Sequence, residues 1–199
     1  MLKNVRAILI EKVWKDYMNS TPGYKAIFPS GRPPLDHFAL IDLIPGKTTG
    51  MEYLAKIFEL IGFVKRGRGY LAEKQNDFLW MVQEDYVGQT VKEMLPQVVL
   101  ADFRLAELPK RVQDIVQYYA GSAKPFDFER AQAYIHQAAN REAAAASLAD
   151  YVYGYLTERS WPLPTVEAYQ AVKEHNELLA WVLAFSRKVN HFGFNVTSY

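Results

Sequence analysis

The chain of 199 residues contains no cysteine. Disulfides, zinc–thiolate sites, iron–sulfur clusters and thiol nucleophiles are therefore excluded, and any metal ion would have to be held by His, Asp or Glu side chains. Histidine is also scarce, since the chain has only four. A metal site, if present, would draw on a small set of imidazoles.

No charge of one sign dominates the chain, whose formal net charge is +1. This balance argues against nucleic acid and against a polybasic membrane patch as partners. No apolar run is long enough to span a bilayer. Charges at Glu11, Lys12, Lys15 and Asp16 interrupt the N-terminal segment, so it does not resemble an export signal and we expect a cytoplasmic protein.

Two of the four histidines stand in similar short phrases, LDHFAL at residues 35–40 and VNHFGF at residues 189–194, which share His and Phe at the same positions. Both phrases are typical of strands. Because side chains alternate along a strand, each His would share one face with a small residue, Ala or Gly, while bulky apolar residues occupy the other face. The bulky face should pack on a helix, and the small neighbour should leave room in front of the imidazole.

A single histidine on an apolar strand is more often a hydrogen-bonded core residue than a metal ligand. The chain also lacks HExxH and comparable local metal patterns. Two histidines in matching contexts nevertheless favour a shared role. The residues alone leave both interpretations open.

The hydrophobic pattern divides the chain into four segments. Residues 1–34 form an N-terminal helix and a Pro-rich loop, and residues 35–105 follow the order strand, helix, strand, strand, strand. In this second segment Thr48 or Thr49 is expected to cap the helix. Residues 106–189 are predicted to be a helical insert of four or five helices, and residues 190–199 return to strand character.

Four blocks of the sequence resemble the 2-oxoadipate dioxygenase/decarboxylase family: DHFALIDL, GRGYLAEKQNDFLWM, VVLADFRLAEL and LLAWVLAFSRKVNHFGF. This family is related to the vicinal oxygen chelate fold, which is built from two βαβββ modules. The resemblance implies an α+β fold in which residues 35–105 form the first module. The phrase around His191 would then be the first strand of a second module, placed after the helical insert.

The same resemblance implies a site for Fe(II), or another divalent metal, made by two histidines and one glutamate. His37 and His191 fall on the histidine positions, and the glutamate is expected beyond Tyr199. A site of this type leaves coordination positions free for a 2-oxo acid and O₂. The implied reaction converts the 2-oxo acid to a 2-hydroxy acid with loss of CO₂.

The substrate-binding residues are less well matched, because Ile41 stands where the family has an arginine for the substrate carboxylate. The candidate replacements are Arg66, Arg68, Lys74 and Arg104. Gln75 lies with Lys74 in a predicted hairpin turn, which could instead be simply solvated. Arg104 could reach a substrate carboxylate, but simple pairing with Asp102 or Glu107 at the surface is slightly favoured.

Two other classes of function stay open at this point. The same scaffold could support a metal-dependent lyase, isomerase or hydrolase of glyoxalase type, since one fold hosts several chemistries. The chain could also be a non-catalytic domain that binds a small molecule or forms a homodimer. The response to O₂ and to the identity of the metal would distinguish these classes.

Overall fold

A five-stranded sheet forms the centre of the computed structural model, which describes residues 1–28, 33–90, 93–137 and 140–195. Within these residues the strands are β1 Leu35–Ile41, β2 Phe63–Leu71, β3 Asn76–Gln83, β4 Gln97–Phe103 and β5 Val189–Phe194. Their order across the sheet is β2-β3-β4-β1-β5. Residues 196–199, the end of the strand predicted over 190–199, lie outside the described residues.

The helices of the described residues pack on both faces of this sheet. They are α1 Leu2–Ser20, α2 Gly23–Ile27, α3 Met51–Leu60, α4 Lys110–Gly121, α5 Phe128–His136, α6 Arg141–Thr157, α7 Val166–His175 and α8 Glu177–Phe185. In the part of the chain that the structure covers, no helix is both long and apolar enough to cross a membrane.

The order β1-α3-β2-β3-β4 is the βαβββ module predicted for residues 35–105. Strand β1 runs parallel to β4, while β2, β3 and β4 form an antiparallel meander. A parallel neighbour requires a crossover connection, and α3 with the following hairpin provides it. The predicted order of elements is therefore confirmed.

The start of α3 differs from the prediction. The N-cap is Gly50, at φ 94°, rather than Thr48 or Thr49. Two buried carboxylates replace a hydroxyl cap: Asp42 accepts a hydrogen bond from Gly50 N–H (2.9 Å) and Asp102 accepts one from Met51 N–H (2.8 Å). Carboxylates suit a helix N-terminus because its free N–H groups carry partial positive charge. Sequence spacing did not reveal this cap, since Asp102 is distant in the chain.

One face of the sheet packs against α1, α3 and α6. Seven strand side chains on this face are 3 % exposed or less: Phe38, Leu40, Leu79, Met81, Val98, Leu100 and Phe192. Burial of each such side chain contributes roughly 1.5–3 kcal/mol. The prediction that the bulky residues of the two phrases face helices is confirmed.

The opposite face is only partly covered. Helices α4, α7 and α8 pack over its Ile41 end, where Ile41, Ala101 and Phe103 join their apolar side chains in a second core. The helical segment after residue 105 thus supplies five helices in the described residues, and they divide between the two faces of the sheet. The His37 end of this face remains partly open to solvent.

Candidate metal centre

Pairing of β1 with β5 brings the two repeated phrases side by side. The strands are antiparallel, and His37 lies opposite Gly193 while Ala39 lies opposite His191. Each histidine therefore faces the small residue of the other phrase. Both imidazoles project from the same face of the sheet, the face that is opposite to the buried Phe38 and Phe192.

The two imidazoles converge through their Nε2 atoms, which are 3.2 Å apart. Their ring planes are nearly perpendicular, at 89°. Two nitrogen ligands bound at about 2.1 Å to neighbouring positions of one metal ion stand roughly 3.0–3.4 Å apart. The observed separation fits two such ligands of a shared ion.

Each imidazole is oriented by the residue that precedes it. His37 Nδ1 lies 2.7 Å from Asp36 Oδ2, and His191 Nδ1 lies 2.9 Å from Asn190 Oδ1. An oxygen acceptor at Nδ1 selects the tautomer that carries its proton there, so the lone pair of each neutral ring is on Nε2. Both lone pairs then point into the space between the rings, where a cation would satisfy them.

Gly193 gives the His37 ring its space. A Cβ atom at this position would lie 2.3 Å from His37 Cε1 and 2.6 Å from His37 Nδ1. Atoms cannot approach so closely, and hence any larger residue at position 193 would displace the ring. The need for a small residue, inferred from the sequence, has a direct structural cause.

The surroundings of His191 favour its neutral form. Partial burial of the ring lowers its pKa first, and the nearby His37 ring lowers it further. Part of the residue still reaches solvent, so a ligand can approach. A neutral imidazole is the form that binds a metal.

The described residues supply two metal donors here. Among them, no group of three or more His, Asp or Glu side chains is arranged to hold a metal ion. The glutamate expected beyond Tyr199 stays a prediction. The donor set that is present, two imidazoles with oriented outer partners, suits iron, zinc and other divalent transition metals.

Arg104 lies at the other end of the sheet from the histidine pair. Its guanidinium forms a two-pronged ion pair with Asp77 (2.6 and 2.8 Å) and a hydrogen bond to Glu107 (3.0 Å). It also stacks on the Tyr70 ring, 3.7 Å from the ring centre. The predicted surface pairing thus involves Glu107 as expected and Asp77 instead of Asp102, because Asp102 is buried beneath the α3 N-terminus.

The other substrate-binding candidates are also remote from the histidines. Arg68 forms an ion pair with Glu52 of α3 on the opposite face of the sheet. Lys74 and Gln75 lie at the tip of the β2–β3 hairpin, where the Asn176 side chain donates to Lys74 O (3.1 Å) and to Gln75 Oε1 (3.3 Å). The structure does not bring these residues to the histidine pair, and a substrate-binding role for them and for Arg104 stays a prediction.

Arg66 and Ile41 are the other two positions that the sequence connected with substrate binding, and that connection stays a prediction. Arg66 stacks on Tyr86, with its guanidinium 4.8 Å from the ring centre. Ile41 is on the histidine face but only 5 % exposed, packed within the core formed with α4, α7 and α8. An apolar residue at position 41 is therefore consistent with its apolar surroundings.

Sequence reasoning missed the polar residues that support the site. Asp36 and Asn190 occupy the same position in the two phrases, directly before each histidine, but the sequence alone did not indicate their role. Asp42 and Arg187 form a buried ion pair at 2.9 Å. A charged residue inside an apolar run, as in ALIDLI and LAFSRKV, was the available signal, because such residues are rarely buried without a partner.

The fold of this chain is similar to those of several solved structures. Its geometry is similar to that of a protein from Ralstonia eutropha assigned to the glyoxalase superfamily, with a TM-score of 0.79 and 16% identity over 94% of this chain and 61% of that one. It is also similar to hydroxyglutarate synthase in complex with 2-oxoadipate from Oryza sativa (TM-score 0.66, 22% identity, 94% and 56% covered). The corresponding complex from Pseudomonas putida gives a TM-score of 0.58 and 17% identity, with 96% and 44% covered.

At these identities the likeness shows the fold, and the vicinal oxygen chelate type predicted from the sequence is confirmed. The chain spans 44% to 61% of the length of these three structures. No curated protein sequence matches it significantly. The sequence profile of the 2-oxoadipate dioxygenase/decarboxylase family matches residues 19–198, nearly the whole chain. The chain therefore belongs to the 2-oxoadipate dioxygenase/decarboxylase family.

Proposed function

We propose that this chain forms part of a non-haem Fe(II) oxygenase that converts a 2-oxo acid to a 2-hydroxy acid with loss of CO₂. The observation that carries the proposal is the convergence of the His37 and His191 Nε2 atoms at 3.2 Å. Membership in the family supports the type of reaction. A bound iron would supply the activation of O₂ and a binding point for the 2-oxo acid.

The roles of the chain's own residues follow from their contacts. His37 and His191 would hold the metal through Nε2, while Asp36 and Asn190 keep the Nδ1 protons in place. Apolar residues adjoin the pair, since Ala39 and its neighbour Val99 in β4 share the histidine face. They would limit the water around a bound substrate, which protects reactive intermediates.

The proposed reaction balances without another co-substrate. One 2-oxo acid and one O₂ give one CO₂ and one 2-hydroxy acid that is shorter by one carbon. The substrate is proposed as a class, 2-oxo acids, and 2-oxoadipate is the member found in the Oryza and Pseudomonas complexes. The apolar Ile41 gives no support for a second carboxylate near the histidines.

The test is anaerobic reconstitution of the protein with Fe(II), followed by addition of 2-oxoadipate and O₂. We expect equal amounts of O₂ consumed and CO₂ released. The variants His37→Ala and His191→Ala should lose metal binding and turnover. His136→Ala is the matched control, because this exposed histidine ends α5, away from the sheet.

Two results would count against the proposal. Unchanged metal affinity in both strand variants, with circular dichroism showing an intact fold, would remove the metal role of the histidines. Turnover of a substrate with Zn²⁺ or Ni²⁺ in the absence of O₂ would instead indicate a lyase, isomerase or hydrolase of glyoxalase type.

A further inference from the structure

A second pair of residues links the same two strands below the histidines. Asp42 follows directly after β1, and Arg187 lies two residues before β5. Arg187 Nε donates to Asp42 Oδ2 at 2.9 Å, and both side chains are 0 % exposed. The ion pair therefore joins the end of one histidine-bearing strand to the start of the other.

The carboxylate of Asp42 and the guanidinium of Arg187 each have several hydrogen-bond partners. Asp42 also accepts hydrogen bonds from Leu43 N–H and Gly50 N–H, at 2.8 and 2.9 Å. Arg187 donates further to Ser160 Oγ at 3.2 Å, as well as to the Tyr155 hydroxyl and to Thr48 O. A side chain held by so many groups has essentially one available position.

The aromatic surroundings of Arg187 restrict it further. Its guanidinium lies 5.0 Å from the Tyr155 ring centre and 5.6 Å from that of Trp161. The preceding residue, Ser186, has φ 65° and ψ −150°, a conformation that non-glycine residues seldom adopt. Its hydroxyl accepts from Ser160 N–H at 3.0 Å. Such a backbone persists only where its surroundings impose it, so the start of β5 is fixed in place.

The buried pair lies where it can set the register of β5. Leu40 pairs with Val189, and continuation of this register by two positions on each strand places Asp42 opposite Arg187. An irregularity then follows, after which Ala39 pairs with His191. A slip of one residue would turn every side chain of β5 to the other face of the sheet. His191 would then point into the helices instead of toward His37.

A buried ion pair is weak evidence of a gain in stability, because desolvation of the two charges offsets their attraction. The best-attested role of such groups is to specify one arrangement among alternatives. Here the alternatives are the registers of β5. Its backbone pairing with β1 could form in a shifted register, and its apolar side chains pack without directional preference.

We propose that Asp42 and Arg187 are positioning residues for the metal centre: their pairing fixes β5 in the register that brings His191 Nε2 to His37 Nε2. The inference rests on the proposed metal function and deepens it. Neither residue would contact the metal. Their effect on metal binding would be transmitted through the three residues of backbone between Arg187 and His191.

The test compares two buried arginines. Arg187→Met removes the pairing, and Arg6→Met is the matched control. Arg6 is 1 % exposed, pairs with Asp85 at 2.6 Å and donates to Ile61 O and Gly62 O. It thus secures the turn between α3 and β2 instead of β5. Co²⁺ is the probe, followed by its visible absorption and by titration, while circular dichroism and urea unfolding report the fold.

We expect Arg187→Met to weaken Co²⁺ binding at least tenfold and to change the absorption spectrum. Arg187→Lys should recover part of the affinity, because it keeps the charge but loses the fork of donors. Arg6→Met should lower stability and leave Co²⁺ affinity within twofold of the parent protein. Imidazole ¹⁵N shifts of the metal-free protein should change at His37 and His191 in Arg187→Met and stay unchanged in Arg6→Met.

Wild-type Co²⁺ affinity in a folded Arg187→Met protein would overturn the inference, as would an equal loss of affinity in Arg6→Met. If Arg187→Met does not fold, Arg187→Lys and Ser160→Ala decide: both must weaken Co²⁺ binding more than Arg6→Met does. His37→Ala separates the two proposals. If it still binds Co²⁺ normally, the metal function fails; if it loses Co²⁺ while Arg187→Met retains it, only the positioning role fails.

Discussion

Phe38 of β1 lies directly opposite Phe192 of β5, and these two residues occupy the same position in the two repeated phrases. Their ring centres are 5.7 Å apart. Antiparallel pairing through equivalent residues gives the two phrases a local two-fold relationship. Each histidine consequently meets the small residue of the other phrase, and both imidazoles reach the same point.

Substitution of Gly193 tests the space that the His37 ring requires. Gly193→Ala should displace this ring, because the new Cβ would lie 2.3 Å from His37 Cε1. We expect an intact fold, a loss of about 1–3 kcal/mol in unfolding free energy from overpacking, and weaker Co²⁺ binding measured by titration. Gly121→Ala is the control, since a Cβ there meets no atom within 4 Å. Equal Co²⁺ affinity in the two variants would contradict the assigned role of Gly193.

Asp36 and Asn190, which contact the Nδ1 atoms of the two histidines, should affect metal binding unequally. Loss of an outer hydrogen-bond partner typically weakens metal affinity about 10–100-fold. The loss of metal affinity in Asp36→Ala should be near the upper end of this range, because a carboxylate forms a stronger hydrogen bond than the amide of Asn190 does. Isothermal titration with Co²⁺ compares Asp36→Ala, Asn190→Ala and Asp114→Ala, in which a surface acid paired with Lys110 is removed as a control. An Asn190→Ala effect larger than that of Asp36→Ala would refute this order.

Phe192 anchors β5 to the helices as well as to β1. Its ring is 3 % exposed and packs edge-on against Trp14 and Tyr17, with ring centres 5.0 and 5.2 Å away. Phe192→Ala should cost about 3–5 kcal/mol of unfolding free energy, measured by urea titration. Phe194→Ala should cost less, since Phe194 is only partly buried. The prediction fails if the two variants are equally stable.

Asp102 should make stability depend on pH. Burial is the largest cause that raises its pKa from 3.8 to about 7, and the nearby Asp42 carboxylate raises it further, although the hydrogen bond from Met51 N–H acts in the opposite direction. The folded protein therefore holds a proton at Asp102 more strongly than the unfolded chain does. The protonated Asp102 side chain contributes to the stability of the fold below about pH 4. This contribution is lost as the pH rises to about 7.

Asp102→Asn should remove this loss, since the amide oxygen can still accept from Met51 N–H and carries no charge. The unfolding free energy of the variant minus that of the parent protein should be larger at pH 8 than at pH 4. The expected increase is roughly 2–4 kcal/mol. Urea unfolding at the two pH values measures the difference. The same stability difference at both pH values would show that Asp102 ionises as freely in the folded protein as in the unfolded chain.

The sequence by itself determined the order of elements and the histidine-bearing strands. Alternation placed His37 and His191 opposite bulky residues, and hydrophobic spacing placed α3 between β1 and β2. These features are local, since each depends on residues within one turn or one strand. The βαβββ order of residues 35–105 followed from them, as did the interpretation of Ala39 and Gly193 as spacers.

The tertiary structure alone decided how distant residues meet. The register of β5 against β1 joins residues that are 154 positions apart, and no local pattern encodes that alignment. The same reason explains why Asp102 rather than Thr48 or Thr49 serves the α3 N-terminus with Asp42, and why Arg104 pairs with Asp77. Side chains that are satisfied across the fold are chosen by burial and register, which exist only once the sheet has assembled.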